Sequence, residues 1–229
     1  MSTADAANAG LRMRANFVRV CAWGLAILTV IQIATSGYIL FRPKGEIVVT
    51  APGSDPGMAP EMIAAIVVGI VALLFYLLVF VYFVSALVWI HKAHRNLIED
   101  GVRMDHSAGW AVGSWFIPLV NLVVPMRAMR ELYNRSHGEE GDLAHISADD
   151  VTAWWTALLV GLFLYTLLGL KLAFNMLTNA IIYAPVWAEF GISAFAAILL
   201  AVAAVLFSRL ADTITTAQKE SARVSGVFE

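Results

Sequence analysis

Residues 109–136, GWAVGSWFIPLVNLVVPMRAMRELYNRS, decide the topology of the whole chain. Trp110 to Met126 carries no formal charge, and 17 apolar-rich residues stand at the lower limit for a spanning helix. Pro118 and Pro125 each remove a backbone donor and clash with the preceding turn, and Asn121 sets an amide between them. In hydrocarbon, backbone broken in this way is tolerated only where protein or a water-filled cavity satisfies it.

Charge separates a crossing from a return. Outside this stretch four apolar runs, near residues 20–41, 62–90, 152–170 and 190–208, are long enough to span. If 110–126 does not cross, one side of the membrane holds Arg12, Arg14, Arg19, Lys92, Arg95, Arg103, Arg127, Arg130, Arg135, Arg209, Lys219 and Arg223. The other holds only Arg42, Lys44 and Lys171, a split of 12 against 3. If it crosses, every later residue changes side and the split becomes 7 against 8. The positive-inside bias selects the first arrangement. The sequence therefore predicts an all-α integral membrane protein: four transmembrane helices plus a Pro-broken re-entrant or interfacial helical segment at about 109–135. Both termini are expected in the cytoplasm, with a bacterial inner membrane as the location.

Composition agrees. At 60% hydrophobic and 14% charged, with a mean hydropathy of +0.76, the chain lies outside the range of soluble domains. A single membrane-embedded bundle over 16–218 is expected, with cytoplasmic tails at 1–15 and 219–229. No strongly basic block points to nucleic acid. The lone cysteine, Cys21, excludes an intrachain disulfide and reads as a small apolar packer.

In chain order, Ala34-Thr35-Ser36 faintly resembles a signal-peptide cleavage site, but the apolar run continues through Phe41 and reads as an uncleaved anchor. Residues 42–60 carry four prolines and three glycines and read as an external loop, with a short strand at Ile47–Thr50. Met62 to Ile90 is 29 residues without Asp, Glu, Lys or Arg. That helix, ~44 Å long, exceeds a core of roughly 30 Å and is expected to project, carrying His91 to Leu97 and stopping near Gly101. Ser147-Ala148-Asp149-Asp150 reads as an N-cap opening the third span. Lys171 is expected to snorkel to the outer interface. Ser193, Ala197 and Ala201, like Ala65 and Gly69, form small-residue stripes suited to close helix packing.

WIHKAHRNL at 89–97, GWAVGSWFIPLVNLVVPMRAMREL at 109–132 and Trp154-Trp155 together resemble a bacterial membrane-protein family, domain of unknown function 4328. The resemblance spans about residues 60–210. It implies an integral membrane location and a similar helical core, and brings no activity. His91 and His94 stand where aromatic residues, commonly Tyr, are found in that family.

Chemistry is sparse. His91 and His94 lie three apart on a helix with Glu99, Asp100 and His106 nearby, a weak metal pair without a fixed third ligand. The simpler reading is a polar helix end binding water and headgroups, with no metal and no cofactor. A haem would lack a second histidine within a span. No His-Glu-x-x-His, Gly-x-Ser-x-Gly or Walker pattern occurs, and none of the four runs contains Asp or Glu.

The central stretch has two readings. In the first it is structural: Gly109 and Gly113 allow close backbone approach, and Trp110 and Trp115 anchor at headgroup level. Arg127, Arg130 and Arg135 then oppose Met126, Met129, Leu132 and Tyr133 on a helix lying on anionic lipid. In the second, Pro118 and Pro125 mark a half-helix lining a cavity, with Asn121 as its polar contact. Three functions follow in order. The first is a non-enzymatic module binding lipid, a membrane protein partner or a second copy of the chain. A permease or channel for an uncharged or lipidic molecule comes next. Last is an interfacial enzyme using His91, His94, Glu99 or Asp100.

Overall fold

Long runs of Leu, Val, Ile, Ala and Phe can satisfy their backbone in lipid only by closing helical hydrogen bonds. Four long helices result. The computed structural model describes residues 3–41, 60–139, 148–178 and 180–225. Helices α1 (Thr3–Phe41), α2 (Pro60–Glu99), α5 (Asp149–Leu177) and α6 (Val186–Ser225) are the long elements, and each is long and apolar enough to cross a membrane. Two short helices, α3 (Ala108–Gly113) and α4 (Val124–Ser136), stand between α2 and α5. Two 3-10 turns, Ser114–Phe116 and Val120–Leu122, connect them.

The helices pack in a row, α2 on α1, α1 on α6 and α6 on α5. Their buried residues gather at one end. Leu11, Ala15 and Val18 of α1 meet Trp89, Ala93 and Leu97 of α2, Val151, Trp154 and Trp155 of α5, and Phe207, Ala211 and Ile214 of α6. From α4, Met129 and Leu132 complete this packed end. A smaller cluster of Ala22, Leu25 and Ala204 lies beyond it, covered by Phe75, Leu78 and Tyr82. Further away, α2 exposes Ile63, Ile66, Ile70, Leu73 and Leu77, and α5 exposes Phe163, Leu170 and Leu172. Apolar side chains left outward along most of each helix suit a hydrocarbon solvent.

The helices overrun the expected spans, mostly at the packed end. Residues expected as an N-terminal tail are helical from Thr3, with Leu11 and Ala15 in the core. At the other terminus α6 runs through Ser225, past the expected boundary at 219. α2 continues past Ile90 to Glu99 and ends as its sequence implies. Gly101, at φ +81°, lets its own N–H bond the Ile98 carbonyl and the Val102 N–H bond that of Leu97, while Val102 packs on the core.

Three local expectations change. Ala148, extended and without a side-chain bond, caps α5, leaving Asp149 and Asp150 to favour its N-terminal dipole. Lys171 does not reach freely for an interface but pairs with Glu189 of α6. Close approach between α5 and α6 comes from Gly161, where an added Cβ would stand 2.8 Å from Leu200 and 3.2 Å from the Ala196 carbonyl. Gly69, by contrast, faces open space. The expected strand at Ile47–Thr50 lies outside the described residues.

Candidate functional site

The segment from 108 to 136 begins and ends at the packed end. Ser107 caps α3 by accepting the Trp110 N–H at 3.2 Å, and α3 buries Ala108 and Ala111. Ser114 is buried in the following turn. The chain reverses at Pro118-Leu119, where Leu119 takes a φ of 66°. Pro125 falls in the first turn of α4, where its missing N–H has no helical partner to lose. Both prolines therefore sit at breaks rather than inside a helix. Between the buried arms, Phe116, Ile117, Leu119, Leu122 and Val123 are exposed, with Leu119 78% accessible at the tip.

Several expected contacts are placed differently. Gly109 and Gly113 approach nothing, since a Cβ on either would find no atom within 4 Å. Trp110 is exposed, as an interfacial anchor would be. Trp115 instead joins an aromatic cluster, 5.9 Å from Phe83 of α2 and 5.7 Å from Trp155 of α5 by ring centroids. Met129 and Leu132 turn the apolar face of α4 onto the bundle core, so that face covers protein and not a leaflet. Arg127 stays exposed. Arg130 and Arg135 are half-buried, and each keeps a buried Nε without an acceptor among the described residues. Asn121 is half-buried near the apex, its N–H bonded to the Ile117 carbonyl at 3.0 Å.

The paired histidines separate. His91 is exposed, while His94 is fully buried with Nδ1 donating to the Ile90 carbonyl at 3.0 Å. The two rings thus occupy different environments. Among the described residues, no three of His, Cys, Asp and Glu come together in a way that could hold a metal ion.

The polar centre of the packed end is Glu131, which pairs with the 105–106 backbone and the His106 ring and, among the described residues, with none of the α4 arginines. It is fully buried in α4. Its Oε1 accepts the Asp105 N–H, and its Oε2 accepts the His106 N–H at 3.2 Å and pairs with His106 Nδ1 at 2.5 Å. Burial alone would raise its pKa. Bonds from the His106 ring and the Asp105 N–H, together with the nearby imidazole, outweigh this and hold the carboxyl below its usual range. Glu131 thereby fastens the 102–107 loop to α4. A second polar contact joins three helices, with Gln218 Nε2 donating to the Ala93 carbonyl at 3.2 Å and to Ser136 Oγ at 3.1 Å. Trp89 Nε1 adds a bond to Thr215 Oγ1 at 3.2 Å. The only hint of this network in the sequence is the helical period of α4, which turns Pro125, Ala128, Met129, Leu132 and Ser136 inward and leaves Glu131 on their flank.

Residues 60–216 match the family described as Domain of unknown function (DUF4328), and the chain belongs to it. No curated protein and no solved structure matches the chain.

Proposed function

We propose that this chain is a non-enzymatic protein of a bacterial inner membrane, whose segment near 109–126 enters one leaflet and returns to engage lipid. The packed end faces the cytoplasm in this reading, with both termini there. One observation carries it: the chain between α3 and α4 is anchored by buried residues on both arms and presents an uncovered apolar apex. An apex of that composition is unfavourable in water and favourable in hydrocarbon. The charge asymmetry of 12 against 3 supports the same orientation. Arg127, exposed beyond the apex on α4, then lies at the headgroup level of an anionic leaflet. Lipid is accordingly the proposed partner.

Impermeant thiol labelling tests the topology. Ser136 is an unsuitable reporter because it is buried and bonded to Gln218. His137, exposed at the end of α4, is suitable. With Cys21 replaced by serine, His137→Cys should label only after the inner face is opened. Labelling from outside in intact cells would mean that the segment crosses, and the proposal would fail.

A further inference from the structure

We propose that the connection between α5 and α6 is a second membrane contact, seated in the leaflet opposite the apex and closed against lipid by the Asn175 side chain. From Leu172 to Ala188 the sequence holds 17 residues without Asp, Glu, Lys or Arg. The charges that flank this run, Lys171 and Glu189, pair with one another. The connection between α1 and α2, at the same end of the bundle, instead carries Arg42, Lys44, Glu46 and Asp55. The two connections are thus written for different solvents. Met176, Leu177, Ile181, Tyr183 and Trp187 are exposed, and they continue the apolar surface that α5 presents through Phe163, Leu170 and Leu172.

Helix length sets the depth. Val151 to Leu177 is ~40 Å of helix, close to the roughly 40–45 Å of a bilayer with its headgroup regions. With Val151 at one headgroup level, Leu177 arrives at the other, the zone that the rings of Tyr183 and Trp187 prefer. Residues 180–185 lie outside any helix, and irregular backbone within lipid needs its polar groups met by protein. Asn175 meets those of Ile182: its Oδ1 accepts the Ile182 N–H at 2.8 Å, and its Nδ2 donates to the Ile182 carbonyl at 3.4 Å. Thr178 Oγ1 accepts the Ala180 N–H at 3.3 Å, and the Pro185 carbonyl accepts the N–H groups of Ala188 and Glu189. Pro185 brings no N–H of its own. Water would serve these groups without such partners. Their closure by protein suits a connection that leaves water, with Ile181 and Tyr183 exposed on either side of Ile182.

The inference rests on the membrane placement proposed above, but the two fail separately, because His137 labelling reports which way the chain lies and a nanodisc has no sides. The full chain, with Cys21 replaced by serine, would be placed one per nanodisc with a fluorophore on Ile181→Cys. Quenching by dibromoacyl phosphatidylglycerol reads lipid contact, and quenching by aqueous iodide reads water. The brominated lipid should remove most of the emission at 181, and iodide little of it. Asp100→Cys, exposed at the packed end just beyond α2, should show the reverse. Asn175→Ala strands both backbone groups of Ile182, so iodide quenching at 181 should rise, by up to about fivefold, the worth of one net hydrogen bond. Should that variant lose helicity, Thr178→Val, which frees the Ala180 N–H, carries the comparison. Iodide quenching at 181 as strong as at 100 would put the connection in water and overturn the proposal. Shielding from both quenchers would put protein over it and overturn the proposal equally. A helical Asn175→Ala with unchanged quenching would overturn the part given to Asn175.

Discussion

Replacing Glu131 tests whether one carboxylate holds the entry to the apical segment in place. Truncation to alanine strands the N–H groups of Asp105 and His106, both aimed at a carboxylate with no exposed surface. Each buried donor left without a partner costs about 1–3 kcal/mol, so two give at least about 2 kcal/mol. Losing the His106 contact as well brings the expected total to about 3–5 kcal/mol, the range for breaking a buried pair. Glu131→Gln keeps the volume and one acceptor but turns an NH2 toward a donor, and about 1–3 kcal/mol is expected. The assay is amide hydrogen exchange over 102–107 in a bilayer mimetic, with the thermal midpoint alongside. A loss of about 2 kcal/mol of local protection speeds exchange at residues 105 and 106 about thirtyfold. Acidity supplies a second reading of the same bond. The folded carboxyl titrates below its ordinary range, so its stabilisation is complete above the unfolded value near ~4.3. It is lost as pH falls through the lower folded value. Unchanged exchange at 105 and 106 in Glu131→Ala would refute the latch.

Two other expectations follow from packing and charge. Gly161→Ala should lower the thermal midpoint, by about 1–3 kcal/mol of overpacking, because its Cβ meets Leu200 and a backbone carbonyl of α6. Gly113→Ala, into open space on a helix, should be neutral or stabilise by up to about 1 kcal/mol, and equal effects at the two sites would contradict the close approach of α5 and α6. Changing Arg127, Arg130 and Arg135 to glutamine should leave the four spans inserted and weaken contact with anionic lipid in a salt-sensitive way, each arginine contributing up to ~1 kcal/mol. A fluorophore at exposed His137 that ignores both lipid charge and the substitutions would remove lipid as the partner of these arginines.

The four long apolar helices, the continuation of α2 past Ile90 and its stop at Gly101 were legible because each rests on local chemistry: an uncharged run, a helical rise, a residue tolerant of positive φ. Contacts between distant segments were not. Glu131 and His106 lie 25 residues apart in sequence, and nothing in their spacing brings them to 2.5 Å. Small residues misled for the same reason. Gly109 and Gly113 have the four-residue spacing of a packing stripe, yet α3 is too short to lay that stripe along a neighbour. At Gly161 a lone glycine does approach closely, because α5 and α6 run side by side there. The apolar side of α4 was visible as a pattern, but a pattern does not say whether core or leaflet covers it. Met129 and Leu132 answer for the core.

Leu119 bears on what surrounds the apex. Its φ of 66° follows Pro118 in the turn closed by the Asn121 N–H on the Ile117 carbonyl, a positive φ that favours glycine or asparagine. For a side chain with a Cβ, left-handed backbone costs roughly 1–2 kcal/mol. The protein returns nothing comparable, since the residue is 78% accessible and so lacks most of the packing a buried leucine gains. In water the turn would therefore be served better by a small polar residue, and an exposed leucine would be a double disadvantage. Hydrocarbon reverses the balance. Removing a leucine side chain from water is worth about 1.5–3 kcal/mol, enough to offset the backbone term. Phe116, Ile117, Leu122 and Val123 are exposed around the same turn and add to that gain. A bilayer is thus the surrounding in which this strained leucine stabilises the segment, which ties the conformation of the apex to its proposed contact with lipid.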